Sequence, residues 1–270
     1  MRLPISCLLA LGLWGCATTR GSSESEPSAV HASGSLPFIE NDYPRAIAEA
    51  KARGIPVFVD TWAPWCHTCR SMRAYVFTDA ALARHAQRFV WLELDTDRPD
   101  SAAFLEKYPV EFWPTFFILD PREEKALVRF AGSATVPQLE KLFEDGERAY
   151  QGGAKGPEAL LARGDALYGE GKSAEAADVL AQALAEAPAD WSRRARALES
   201  LLSAQYGAKR HEACARTALA ELPRVPPSAS WANATAMGLS CALQVPAETP
   251  GAAELISGLE EKGRQALSPD

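Results

Sequence analysis

Lysine and arginine form no cluster anywhere in this chain. Its 28 basic residues are outnumbered by 35 acidic ones, giving a formal charge of −7 and a pI near 5.3 over 270 residues. That absence excludes nucleic acid as a partner, because phosphate contacts require a basic footprint. Cysteine is sparse as well: six residues are too few for a disulfide scaffold at this length, so each has to be read in its own spacing. One CxxC occurs, with no second CxxC and no His pair to complete a zinc site, so neither metal nor cofactor is expected. Nor is there an apolar run of the ~20 residues that a spanning helix needs; the N-terminal run covers only Leu3 to Trp14, and no further span follows. What remains, 47% hydrophobic and 23% charged, is ordinary globular composition. The length fits one large domain or two modest ones, at about 100–200 residues each.

Arg2, the apolar stretch carrying Leu8, Leu9, Leu11 and Leu13, and the small residues after it describe a secretory signal over residues 1–15. Leu13-Trp14-Gly15-Cys16 resembles the lipobox of bacterial lipoproteins, with Trp14 where a small residue is usual. The resemblance implies that Cys16 is lipidated and begins the mature chain. The plainer alternative is an ordinary signal peptide in which Cys16 is incidental. Each buried acyl methylene contributes ~0.8 kcal/mol, so a multiply acylated Cys16 would hold the protein to a membrane. Ala17 after the cysteine implies, by the same resemblance, the outer membrane of a bacterial envelope, with the protein facing the periplasm. Residues 16–36, polar and rich in Ser, Glu and Gly, read as a flexible tether.

The next segment alternates strand and helix signals, which predicts an α/β sheet. Ile55–Asp60, Phe89–Leu94 and Thr115–Leu119 are short apolar runs of the kind buried on both faces, and Leu127–Phe130 reads as an edge strand. Val136–Tyr150 has helical periodicity, with Leu139, Leu142 and Phe143 on one face. Between the first two runs lies Trp62-Ala63-Pro64-Trp65-Cys66-His67-Thr68-Cys69. Cysteines at this spacing on a helix start can close a small ring, and the unpaired N–H groups there favour thiolate at the first of them. Cys66 is therefore the expected nucleophile and Cys69 the resolving thiol of a redox-active Cys66–Cys69 disulfide. Arg70 and Arg73 either add positive field or are solvated.

Residues 37–150 resemble the thioredoxin superfamily, most closely the C-terminal periplasmic domain of DsbD-type disulfide reductases. The resemblance rests on Val59-Asp60-Thr61-Trp62-Ala63-Pro64-Trp65-Cys66-x-x-Cys69, on Tyr75-Val76-Phe77-Thr78-Asp79, on Trp113-Pro114-Thr115 and on Gly132. It implies that Asp60 is a buried acid assisting deprotonation of Cys69, and that Pro114 is a cis-proline packed against the cysteine pair. Trp65, His67, Trp113 and Pro114 are the expected substrate-contacting residues. His67 either stabilises the thiolate as a cation or is a solvated helix-start residue. Trp113 either covers the disulfide or serves as an aromatic packing residue. Thr68 stands where oxidases of this fold carry histidine, so the direction of electron flow is open.

Gln151–Pro157 is rich in turn residues, and beyond it β-branched residues almost vanish. Residues 157–270 resemble tetratricopeptide helices: Gln182–Pro188 is echoed by Thr217–Pro223, an offset of 35 residues. Gly164 is expected at a close helix approach, Leu167, Tyr168 and Leu180 in the interior, and Ala176 and Ala183 at tight crossings. The second unit is degenerate, with His211 where Ala176 would repeat, and a third spans Trp231–Leu243. Such helices either dock a partner or cover the preceding domain. Cys214 and Cys241 are a candidate structural disulfide in an oxidising compartment.

The leading expectation is an envelope-facing thiol–disulfide oxidoreductase leaning toward reduction. It would act on disulfide-bearing or dithiol client proteins and be reset by a further redox partner. A dedicated-client version, as in cytochrome-maturation or metallochaperone-type thioredoxins, keeps the same cysteines. The alternative, from another class, is an adaptor lipoprotein whose repeats recruit a partner while the cysteine pair is minor.

Overall fold

In the computed structural model the described residues are 36–267. The signal over residues 1–15, lipidation at Cys16 and nearly all of the tether lie outside them. The three predicted apolar runs form strands β2 (Val57–Trp62), β3 (Val90–Asp95) and β4 (Thr115–Asp120), and the predicted edge strand is β5 (Lys125–Ala131). A short strand β1 (Phe38–Glu40) escapes sequence reading, since three residues cannot display a period. The sheet order is β1-β3-β2-β4-β5, with β1, β3 and β2 parallel and β4 and β5 antiparallel to their neighbours.

Side chains alternate across the strands, so the sheet has two apolar faces. Phe58, Trp91, Phe116 and Phe130 point to one, where they meet Met72, Phe77 and the predicted Leu139, Leu142 and Phe143 of helix α4 (Val136–Tyr150). Val59, Leu92 and Phe117 point to the other, beneath Ala46, Ile47 and Ala50 of α1 (Tyr43–Arg53) and Phe104 of α3 (Ala102–Lys107). In the chain between α1 and α3 comes α2 (His67–Ser71), which carries the second cysteine. This is the expected thioredoxin-type α/β arrangement. Met72, directly after the CxxC helix, packs with Phe58 on the sheet face that Asp60 shares.

A largely helical region follows, as expected: α5 (Pro157–Gly169), α6 (Ser173–Glu186), α7 (Arg194–Gly207), α8 (His211–Glu221), α9 (Ala229–Ala242) and α10 (Ala252–Leu267). Gly164 is where the sequence expects a close approach: a Cβ there would lie 2.5 Å from Leu180 Cγ, which real side chains do not tolerate. Leu180, Ala176 and Ala183 are fully buried. His211 opens α8, its ring 5.2 Å from that of Tyr206.

The helices do not stand apart from the sheet. The described residues lie in one compact unit, and α5 and α7 pack along β5. Arg129 of β5 is buried, with its guanidinium 3.5 Å from the Tyr168 ring centroid and a hydrogen bond of 3.1 Å to the Pro109 carbonyl. Arg193 reaches Glu144 and Asp145 of α4 at 2.8 and 2.7 Å, and Arg196 pairs with Asp165 and Asp145. Further along, Gln138 donates to Ser230 of α9 at 2.9 Å. The face that α5, α7 and α9 turn to the α/β layer is thus occupied by the chain itself. Of the two roles the repeats left open, covering the preceding layer is the one this face performs. Tyr168 is buried in the helical interior as expected, and one face of its ring also receives Arg129.

Cys214 and Cys241 are joined across α8 and α9, with Cα atoms 6.0 Å apart and both side chains fully buried. Closing a loop of sequence separation 27 restricts the unfolded chain by about 3–4 kcal/mol on the loop-entropy scale. Replacing both cysteines by alanine should lower the urea-unfolding free energy by about 2–4 kcal/mol. An unchanged midpoint with an unchanged slope would count against a stabilising bridge.

Candidate active site

The sheet delivers β2 to a sharp turn at its C-terminal end. After Trp62 the chain turns through Ala63 to Cys66, whose extended backbone (φ −77°, ψ 100°) makes it the N-cap of α2. Its Sγ accepts the Cys69 backbone N–H at 3.0 Å. The two cysteines are joined, with Cα atoms 5.3 Å apart. Cys66 retains a small exposed surface, 5%, whereas Cys69 has none, so only the first sulfur is open to an incoming thiol or disulfide. Past Ser71 the helix widens into a π-helical turn, Met72–Val76, closed by the Phe77 N–H on the Met72 carbonyl at 2.9 Å.

Around this pair the structure gathers the residues that the sequence singles out. The Trp113–Pro114 peptide bond is cis. Gly132, at a φ of 103° that favours glycine, donates its N–H to the Pro114 carbonyl at 2.8 Å. Trp113 packs on the small cluster of Ala63, Cys66 and Cys69, and its indole N–H donates to Thr96 Oγ1 at 2.8 Å. Covering the cysteines and packing are therefore the same role for Trp113. Trp65 stacks edgewise on it, centroids 5.2 Å apart, and stays 56% exposed. His67 is exposed at the first position of α2.

Asp60, two residues after Phe58 on the same face of β2, is 1% exposed, and neither carboxylate oxygen has a hydrogen-bond partner. Burial pushes its pKa up to about 8, and the neighbouring Glu93 pushes the same way while Arg73 opposes. Glu93 is Asp60's register partner on β3 and is itself raised by burial. Arg73, from the π-helical turn, pairs with Glu93 at 2.9 Å and lays its guanidinium over the Trp62 ring at 4.4 Å. Arg70, by contrast, is exposed. Glu93 and the bridging role of Arg73 were missed from sequence. The available signal was a lone acid inside the run Phe89-Val90-Trp91-Leu92-Glu93-Leu94, since a carboxylate in a buried strand requires compensation. A cavity of about 710 Å³ lies among α6, α7 and α8, with no cysteine among its lining residues.

A dithiol-capable pair at a helix start, a cis-proline beside it and a buried acid below, all on a five-stranded mixed sheet, define a thioredoxin-like domain. Residues 39–121 match the thioredoxin-like family model. Among curated proteins, the thiol:disulfide interchange protein DsbD of Pseudoalteromonas atlantica is 31% identical over 120 residues, covering 42% of this chain and 20% of the relative. DsbD 2 of Pseudomonas aeruginosa is 30% identical over 139 residues, covering 44% and 24%. The chain thus spans about a fifth of the length of these relatives. Among solved structures, a thioredoxin from Thermus thermophilus is 29% identical with a TM-score of 0.37, covering 41% of this chain and 85% of that one.

The buried acid has a consequence for stability. Asp60 keeps its proton to about pH 8 in the folded chain but loses it near 4 when unfolded. The folded state therefore binds more protons across that window, and stability falls as pH rises through it. The fall should be on the order of 5 kcal/mol from this group, and Asp60→Asn should remove it. Urea unfolding of both proteins at pH 5, 6.5 and 8 measures the difference; parallel pH profiles would refute the assignment.

Proposed function

We propose that the protein is an envelope-facing thiol–disulfide oxidoreductase that leans toward reduction. The observation that carries the reading is the Cys66–Cys69 pair at the start of α2, of which only Cys66 keeps exposed surface, with a buried carboxyl group on the preceding strand whose pKa, raised to about 8, is close enough to neutral for it to exchange a proton. The relatives' name, thiol:disulfide interchange protein, supports the same chemistry.

In the reducing direction the Cys66 thiolate attacks one sulfur of a client disulfide. A Cys66–client bond forms, the client's own S–S bond breaks, and its second sulfur leaves as thiolate. Cys69 then loses its proton, Asp60 in its carboxylate form being the acceptor, and attacks Cys66. That step closes the Cys66–Cys69 bond and releases the client's remaining sulfur as a second thiolate. Two electrons have passed to the client, and a separate dithiol donor must return them before the next cycle. The N–H of Cys69 on Cys66 Sγ stabilises the Cys66 thiolate that makes the first attack, since an N–H at a helix start favours sulfur anion.

Residues 37–150 act in this reading as the redox domain and 157–270 as tetratricopeptide-like helices that brace it. Residues 1–15 serve as a signal, and lipidation at Cys16 tethers the protein to the outer membrane through residues 16–36. Radiolabelled palmitate incorporation that disappears with Cys16→Ala tests the anchor. An adaptor role would have to use the outer row of helices, because α5 and α7 pack on β5 and α9 is held to the α/β layer by Ser230 and Asn233.

Cys69→Ser should accumulate mixed disulfides with envelope proteins through Cys66, and Cys66→Ser should abolish insulin reduction by dithiothreitol above background; equal rates for wild type and Cys66→Ser would sink the reading. Asp60→Asn should slow release of the trapped intermediate by on the order of 10²-fold while leaving the first attack nearly intact. A reduction potential nearer about −270 mV than about −120 mV would accord with the reductase lean.

A further inference from the structure

Residues 109–112 lead from α3 to Trp113 and the cis peptide bond, and the helical region holds them at both ends. At the first end, the Pro109 carbonyl accepts the Arg129 guanidinium at 3.1 Å, and that guanidinium lies 3.5 Å from the Tyr168 ring centroid of α5. A Cβ on Gly171, just past α5, would stand 3.2 Å from Pro109 Cγ. Toward the other end α7 takes over: a Cβ on Gly207 would stand 3.0 Å from Glu111 Oε2. The half-buried Phe112 ring meets Tyr206 of α7 edgewise, centroids 5.3 Å apart. Tyr206 is backed in turn by His211 of α8, at 5.2 Å.

Phe112 is the covalent neighbour of Trp113. Its carbonyl accepts the Thr115 hydroxyl at 2.7 Å, and the Thr115 carbonyl accepts the Thr61 hydroxyl of β2 at 2.7 Å, so the backbone on both sides of Trp113 is tied down. Trp113 itself packs on Ala63, Cys66 and Cys69. An aromatic cover of this kind removes water from sulfur, which costs a thiolate more than it costs a neutral disulfide. The placement of Trp113 therefore weighs on the balance between the two redox forms. The ring anchoring the residue before it comes from the helical region.

We propose that Tyr206 is a positioning residue for the redox site: by holding Phe112 it keeps Trp113 over Cys66 and Cys69 and so biases the pair toward the disulfide. The inference rests on the oxidoreductase reading. A pair biased toward its disulfide is the stronger electron donor as a dithiol, in keeping with the reducing lean. The helical region then helps to set the exchange equilibrium, beyond bracing the sheet.

The test equilibrates the full chain with glutathione and glutathione disulfide at one neutral pH. Two glutathione thiols reduce the Cys66–Cys69 bond and leave as one glutathione disulfide, so the electrons balance without another reagent. Acid quenching, alkylation of free thiols and mass measurement of the peptide carrying both cysteines give the reduced fraction at this site alone. Tyr206→Ala should move the equilibrium constant about threefold toward the dithiol, within the range that one aromatic pair supplies. Phe112→Ala should move it equally, and the double variant no further than either, because both remove one contact. Tyr206→Phe keeps the ring and should restore the wild-type value. Cys214→Ala with Cys241→Ala, which loosens the helical region away from Phe112, should also leave it in place.

An equilibrium that Tyr206→Ala leaves unmoved or shifts toward the disulfide would overturn the assignment. So would shifts that add in the double variant, or an equal shift in Tyr206→Phe or in the Cys214 and Cys241 variant. If Tyr206→Ala does not fold, Phe112→Ala decides by the same criterion. A wild-type pair that exchanges with glutathione while the variants match it overturns the positioning role alone. One that never exchanges overturns the oxidoreductase reading and the positioning role with it.

Discussion

A carboxyl group with no hydrogen-bond partner, set into the apolar face of a sheet, can persist only if it stays neutral or if charge is arranged around it. Asp60 uses both means: burial keeps its proton on to about pH 8, and the Arg73–Glu93 pair stands beside it. The rest of the site is organised by that constraint. Arg73 comes from the helical turn directly after the CxxC, and Glu93 from the strand beside β2, so the CxxC helix and the sheet are joined by an ion pair over the acid. In the proposed cycle this acid, its pKa raised to about 8 and screened from water, takes the proton of Cys69, which has no exposed surface.

The helical region meets a different constraint. A sheet that ends in β5 presents an exposed strand, and an open edge invites pairing with another chain. Here α5 and α7 lie along it, and the contact is polar as well as apolar: Arg129 sits against Tyr168, while Arg193 and Arg196 join α7 to acids of α4 and α5. Asp165, fully buried, is raised to about 6 by burial even with Arg196 beside it. Ionic contacts of this kind fix one geometry better than they add stability. That geometry brings Ala229 and Asn233 of α9 into one pocket with Thr68 and Met72 of the α/β layer, which a loosely tethered appendage would not do.

Much of this was legible beforehand, and the reasons differ by element. β2, β3 and β4 announce themselves because strands covered on both faces must be apolar throughout. The α6 and α8 ends fall at Glu186 and Glu221, matching the repeat offset read from Gln182–Pro188 and Thr217–Pro223. β1 was invisible because its three residues acquire meaning only by pairing with β3. The redox pair was legible because its chemistry depends on local spacing, and Asp60 because its motif places it a fixed distance before Cys66.

Arg73 illustrates the limit from the other side. In sequence it is one of two arginines on a helix surface, indistinguishable from Arg70; in the fold Arg70 is exposed and Arg73 closes on Glu93. Trp113 could be read as a cover or as packing, and the fold makes these one role. The sequence by itself determined the sheet, the dithiol and the existence of a helical second part, since hydrophobic period and CxxC spacing act over a few residues. Which charges meet beside Asp60 and which face of the helical region is occupied were decided by tertiary structure alone. Those contacts join residues far apart in the chain, and no local pattern encodes their distance.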